Sequence, residues 1–376
     1  MLTKFDELTC HQTVQTFDEV GTSDRAWTEK LWCNLHDTTG DLVLAAGFGI
    51  YPNRNVIDGF ACANVGNRRQ HNLRVSRELR PRIEEVAVGP LRYEVLEPFR
   101  RVRLTCGDNP RGLRFDLEFR GRFAPGEEEP QVGRAFGRTF VHTCRYAQTG
   151  RAHGWIEVEG RRTEVTEDRF YAQRDHSWGL RMGVGLPEQG VQFADVAAFR
   201  GMLIVWTTLQ FAERAFTLYY IEGADGRVQR LTGHVCPQLD AGRPTVPLVA
   251  VEHDFRYHPR SARMAGGRMT LVAADGGRWE LELRERTAMY LRGGGYTGYR
   301  GYYHGLWMGP AWEDGEVFDV ADPRVADEVH GLDDTVVEAR CGEAVGYGIV
   351  ENLILPPFPR YGFPASRPET TPGESR

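Results

Sequence analysis

No uninterrupted apolar stretch in this chain approaches the roughly 20 residues that a membrane-crossing helix needs. The longest, Met202 to Trp206 with its neighbours, is the size of a strand. The opening residues, Met1-Leu-Thr-Lys-Phe-Asp-Glu-Leu8, lack the apolar core of a signal peptide. The seven cysteines (10, 33, 62, 106, 144, 236 and 341) are odd in number and scattered, with no C-x-x-C pair. Reduced thiols in a cytoplasmic protein fit that pattern better than a disulfide frame or a zinc site. There is no basic tail or polybasic block, and the net charge is −6 with both signs mixed. That argues against nucleic acid as a partner.

Other absences narrow the chemistry. There is no G-x-S-x-G and serine is scarce, which removes support for a serine hydrolase. Neither H-E-x-x-H nor a zinc-spaced Cys/His cluster occurs. His253 and His258 invite a metal reading, but five residues apart in a strand they face opposite sides, so no metal is expected. Gly293 to Gly301 is glycine-rich without the strand-to-helix setting of a phosphate loop. No cofactor is expected. Helical periodicity is almost missing as well, and only Pro323 to His330 reads as a short helix.

What the chain has is strands. Its 376 residues are 41% hydrophobic and 26% charged, an ordinary globular composition with length for two or three cores. Trp27 to Leu35 alternates partially, Asp37 to Asp41 is a turn by composition, and Leu42 to Ile50 is a second apolar run. Leu113, Phe115, Leu117 and Phe119 face one way while Arg114, Asp116, Glu118 and Arg120 face the other, a period of two. Pro125 to Pro130 reads as an exposed loop. Strands are expected again at Phe140 to Tyr146, Gly154 to Gly160, Thr163 to Thr166, Val191 to Phe199, Met202 to Phe211 and Phe216 to Ile221. Asp-Gly dipeptides at 225–226 and 275–276 mark hairpins, and Trp279, Leu281 and Leu283 alternate with charged residues. The chain reads as all-β, and antiparallel sheets hide their edges by closing into barrels or sandwiches. The expected organisation is a lead-in over 1–26, barrels over 27–185 and 186–355, and a Pro-rich tail over 356–376.

The densest chemistry lies in Tyr171-Ala-Gln-Arg-Asp-His-Ser-Trp-Gly-Leu-Arg181. A carboxylic acid beside a large aromatic can be desolvated and hold its proton at neutral pH. An ion-paired strand, with Asp175 answering Arg174 or Arg181, suits the same residues. Alternation points Asp175 and His176 to opposite faces unless the strand bends near Gly179. A second aromatic stretch holds Tyr296, Tyr299, Tyr302, Tyr303, His304 and Trp307, which suits either packing or a pocket wall.

Arg174-Asp-His-Ser-Trp-Gly179 resembles the R-D-H-S/N-W-G stretch of the carotenoid 1,2-hydratases and AttH-like proteins, relatives of the tocopherol cyclases. The approach through Tyr146-Ala-Gln148 and Gly154 to Gly160 is similar too. Leu31 to Asn34, Gly49 to Arg54 and Gly89 to Pro98 look like an uncharacterised bacterial branch, and the resemblance runs from Trp27 to Leu355. It implies two tandem lipocalin-like antiparallel β-barrels, in agreement with the strand pattern. It also implies a cofactor-free lyase or isomerase that hydrates, dehydrates, cyclises or cleaves a hydrophobic molecule, such as a terpenoid, steroid or aromatic lignin-type compound. Asp175 matches the family's acidic position and is the expected general acid, with His176 orienting it or relaying its proton. Arg174, Trp178, Arg181 and Tyr171 are expected to bind substrate, Arg174 and Arg181 at an anionic end unless they pair with acids. Tyr296, Tyr299, Tyr303, His304 and Trp307 would add a second wall. The alternatives are a non-catalytic carrier of a hydrophobic ligand, or a barrel that serves as an interaction module. A small hydrophobic molecule is the expected partner, and a homodimer is compatible with the sequence.

Overall fold

The computed structural model describes residues 2, 3, 5, 9, 11–186, 200–259 and 261–364. The strand expected over Val191 to Phe199, and the end of the tail past residue 364, lie outside the described residues. No helix among the described residues is long and apolar enough to cross a membrane.

Twelve strands of the first half run β1 (Trp27–Asp37), β2 (Leu42–Tyr51), β3 (Val56–Val65), β4 (Arg69–Glu78), β5 (Ala87–Val88), β6 (Leu91–Glu97), β7 (Arg101–Cys106), β8 (Leu113–Gly121), β9 (Gly126–Ala135), β10 (Arg138–Val158), β11 (Arg161–Val165) and β12 (Phe170–Leu180). They form one antiparallel sheet in the order β4-β3-β2-β1-β12-β10-β8-β7-β6-β5, with β9 and β11 also on β10. The sheet curls around a core that includes Leu44, Phe48, Leu73, Phe115 and Ile156. Its two ends approach where Val88 and Leu91 of the β5–β6 hairpin pack beside Gly59 of β3. We call it barrel 1, although hydrogen bonds do not close it.

Barrel 2 is closed. It contains β13 (Met202–Gln210), β14 (Arg214–Gly223), β15 (Val228–Pro237), β16 (Val246–Tyr257), β17 (Met264–Ala273), β18 (Arg278–Tyr290), β21 (Asp333–Cys341) and β22 (Ala344–Leu355). The Asp-Gly turns sit where expected, and the Asp225 and Asp275 carboxylates accept from the backbone N–H two residues on. The short helix is α1 (Pro323–Val329), capped by the Asp322 side chain.

Three expectations need correction. Residues 125–130 are not an exposed loop, because β9 begins at Gly126 and Glu128 is buried between Arg145 and Trp206. The Pro-rich stretch after Leu355 does not start as a tail. Phe358 is fully buried in the barrel 2 core, and the Tyr361 hydroxyl bonds to His253 and to the Phe255 N–H. Nor does the second half of the chain build barrel 2 alone. Between β18 and β21, β19 (Trp312–Asp314) and β20 (Val317–Asp319) pair with β4 and extend the sheet of barrel 1. Arg74 of β4, fully buried, holds that segment through Asp314 at 3.0 Å, Glu316 at 2.7 Å and the Gly293 carbonyl at 2.7 Å.

The barrels pack side against side. Leu31, Cys33 and Leu35 of β1 point into barrel 1, while Lys30, Trp32, Asn34 and His36 point to the seam, and all of these are buried. A strand covered on both faces loses the polar–apolar alternation of a wet sheet. The seam has an apolar cluster of its own that includes Trp32, Phe60, Ala147, Trp206, Met289 and Ile349.

Candidate active site

Alternation along β12 divides the motif between two places. Arg174, His176 and Trp178 line a hollow in barrel 1. Asp175 faces the seam, opposite Trp32 on β1 and Ala147 on β10. Gly179, at φ 120°, does not restore a shared site. It is glycine because a Cβ there would sit 2.0 Å from the His142 carbonyl oxygen. The expected partnership of Asp175 with His176 therefore fails on strand parity. His176 Nε2 instead meets Glu29 Oε1 at 2.8 Å, on the barrel 1 side.

In the seam Asp175 joins ionisable residues from both barrels. Its Oδ2 lies 3.6 Å from Arg145 Nη1, while Oδ1 has no hydrogen-bond partner. Arg145 also meets Glu128 Oε2 at 3.1 Å and lies over the Tyr219 ring at 4.9 Å. Glu128 accepts from the Trp206 indole at 2.8 Å, and Trp206 meets Trp32 edge-on at 5.5 Å. The register of barrel 2 sets Glu351 of β22 between Trp206 of β13 and Asp334 of β21. Asp334 Oδ2 accepts from Asn34 at 3.3 Å, and Gln173 Nε2 donates to Asn34 at 2.7 Å. Asp334 Oδ1, Gln173 Oε1 and Trp32 Nε1 are unpaired.

Nearby, Lys30 Nζ donates to His304 Nδ1 at 2.9 Å and lies 3.9 Å from the centre of the Tyr296 ring. His304 Nε2 donates to the Gly294 carbonyl at 2.8 Å, which assigns its proton to that nitrogen. Burial, then the Lys30 charge, hold His304 well below the usual imidazole range. Asp58 accepts from the Gly305 N–H at 2.6 Å and from the Tyr51 hydroxyl at 3.2 Å. Tyr302 adjoins the same carboxyl, but its hydroxyl makes no well-formed hydrogen bond.

Burial dominates the proton affinities here. It lowers Lys30 to about 7, helped by Arg181 and opposed by Asp58 and Asp175. It raises Asp58 to about 6 against the Gly305 N–H and Lys30. It raises Glu351 to about 7 against Arg145, with Asp175 adding to the rise. Asp334 is held well above the usual carboxylate range by burial and by Glu351. Yet Asp175 keeps 12% of its side-chain surface accessible and Arg145 16%, and Glu351 and Tyr296 are only partly covered.

A model for a family of unknown function, DUF8625, matches residues 2–364. The chain belongs to that family. The sequence matches no curated protein. Among solved structures, a protein from Nitrosomonas europaea described as an AttH superposes with a TM-score of 0.54 at 12% identity, over 88% of this chain and 93% of that one. Kievitone hydratase from Nectria haematococca has a TM-score of 0.47 at 12% identity, over 86% of this chain and 88% of its own. CghA has 0.49 at 11%, over 88% and 89%. The first likeness supports the tandem-barrel fold, and none of the three assigns a role to a residue.

The other expected residues scatter. Arg181 donates to Ser177 at 2.6 Å, and its charge is felt by Lys30, Glu351 and Tyr296. Tyr171 packs under Arg151 and beside His36 and Tyr347. Tyr299 meets Phe318 edge-on and lies under Arg74, beyond the seam cluster, and Trp307 is 51% exposed. Tyr303 packs against Gly298. Tyr296, Tyr302 and His304 of that stretch join the seam cluster. Sequence reading passed over Lys30, Asp58, Arg145, Glu128, Asp334 and Glu351. For Asp58 and Glu351 the signal was a charge inside an apolar strand, Val56-Ile-Asp-Gly-Phe60 and Ile349-Val-Glu-Asn-Leu353.

Proposed function

We propose that the protein is a cofactor-free lyase or isomerase that hydrates, dehydrates or cyclises a hydrophobic small molecule held in the seam between the barrels. The observation that carries this reading is the convergence of buried polar atoms without partners, Asp175 Oδ1, Asp334 Oδ1 and Trp32 Nε1. Leaving such a group unpaired costs on the order of 1–3 kcal/mol, which a ligand's polar atoms would recover. Trp32, Trp206, Phe60, Tyr219 and Tyr296 surround them. Aromatic faces suit a hydrocarbon and stabilise a cation formed on it.

Protonating an alkene, or expelling a hydroxyl as water, needs a donor that is neutral near pH 7 in a dry place. Glu351 and Asp334 meet that need, because burial pushes both up. Asp175, facing Arg145, suits the opposite task, either as a base or as the anion beside a developing cation. In this reading Asp175 stays at the site and the donor role passes to Glu351 and Asp334. Lys30, lowered to about 7 by burial, suits returning the proton between turnovers.

The test is incubation of the purified chain with terpenoid, steroid and lignin-type phenolic panels, followed by mass spectrometry for gain or loss of water or for isomerisation. Asp175→Asn and Glu351→Gln are expected to keep ligand affinity and to lose about 100-fold or more in turnover. Full turnover in both variants would overturn the assignment. A ligand that binds the wild type and is recovered unchanged would make the protein a carrier.

A further inference from the structure

The other face of β12 carries chemistry that the seam does not use. Barrel 1 opens into a cleft of about 1140 Å³. Leu31, Tyr93 and Tyr146 form its inner wall, and Val95, Phe99 and Trp178 its rim. The rim residues are exposed by 57%, 44% and 38%, an apolar mouth in contact with water.

Arg174 is the buried charged group of the lining, 3% exposed, whereas Glu29, Glu85, Arg92 and Glu94 line the cleft from exposed positions. The buried arginines of the seam side meet carboxylates, Arg74 with Asp314 and Glu316, and Arg145 with Glu128. Arg174 forms no ion pair among the described residues. Its Nε and Nη2 donate to Gln148 Oε1 at 3.1 and 2.8 Å. Gln148 is fixed with that oxygen inward, because its Nε2 donates to the Phe99 and Phe123 carbonyls. Arg174 Nη1 reaches the Tyr146 hydroxyl at 3.2 Å and the Tyr93 hydroxyl at 3.4 Å. Each hydroxyl accepts there, and its own proton finds no acceptor among the described residues. A guanidinium is always protonated, and a buried charge is stable only when paired. One cation and two free O–H donors converge on a point inside an apolar cleft.

We propose that barrel 1 binds an amphipathic monocarboxylate, its head on Arg174, Tyr93 and Tyr146 and its hydrocarbon chain running out along Leu31, Phe99 and Trp178. The site lies on the opposite face of β12 from Asp175, so it stands or falls independently of the seam. A carboxylate accepts from a guanidinium and from tyrosine hydroxyls at once, which neutralises the charge and satisfies both idle protons. An alcohol of the same length fills the cleft but leaves Arg174 unanswered.

Isothermal titration of the full chain with dodecanoate and with dodecanol separates these outcomes. Dodecanoate is expected to bind at least about tenfold more tightly than dodecanol, the discrimination expected of a charge-assisted hydrogen bond. The double variant Tyr93→Phe with Tyr146→Phe keeps the guanidinium and the ring packing, and it should lose about tenfold in dodecanoate affinity and distinctly less in dodecanol affinity, because O–H donors bind a carboxylate more strongly than a neutral hydroxyl. Arg174→Met should erase the preference for the acid, once its circular dichroism matches the wild type. Equal affinity for acid and alcohol, no binding to the wild type, or an unchanged double variant would each overturn the proposal.

Discussion

Replacing Glu351 with Gln probes the seam through stability, without a known substrate. Glu351 titrates near 4.5 in an unfolded chain and at about 7 in the fold, mainly because burial disfavours its charge. Between those values the native state keeps a proton that the unfolded chain has released. Stability therefore falls as pH rises through this window, and the loss is complete above 7. At about 1.4 kcal/mol per pH unit, the loss of stability amounts to roughly 3 kcal/mol by pH 8. Gln matches protonated Glu in shape and never ionises. Glu351→Gln should thus equal the wild type in urea unfolding at pH 4.5 and exceed it by roughly 2–3 kcal/mol at pH 8. The comparison between the two pH values cancels any packing defect that the substitution brings. Equal differences at both pH values would refute a buried, proton-holding Glu351 and would remove the donor from the proposed reaction.

Lys30 gives the opposite sign. Its proton is bound less tightly in the fold (about 7) than in the unfolded chain (10.5), so wild-type stability should rise as pH climbs from 7 towards 10. Lys30→Met should flatten that rise in a thermal-unfolding series. Gly179→Ala forces a Cβ against the His142 carbonyl at φ 120°, and should cost at least about 2 kcal/mol by denaturant unfolding. Phe358→Ala empties the end of barrel 2 and should cost about 3–5 kcal/mol, read by the same unfolding curves.

The all-β class and most strand positions were legible, because alternation and Asp-Gly turns are local signals. Leu113 to Phe119 shows this, with inward residues buried and outward ones in ion pairs on one wet face. The parity of Asp175 and His176 was legible for the same reason. The site as a whole was not. Its members stand on β1, β3, β9, β10, β12, β21 and β22 and on the segment between β18 and β19, brought together by strand register and by the docking of two barrels. Burial on both faces of β1 and β3 also blurred their alternation, so nothing local set Lys30 and Asp58 apart. Glu128 was misplaced because a run of three glutamates resembles a solvated loop, and its partners Arg145 and Trp206 are remote in sequence.

The pairing of β19 and β20 with β4 bears on how the protein is made. A ribosome releases β4 long before residues 312–319, so the first sheet emerges with one edge bare. Arg74 has no Asp314 or Glu316 to meet until most of barrel 2 has been synthesised. The two halves of the chain therefore cannot mature in strict succession. A fragment ending near residue 186 would carry an open strand edge and an unanswered buried cation, and self-association is its expected fate. Adding back the later half in trans would supply the missing strands only by intermolecular pairing, far slower than the same closure within one chain.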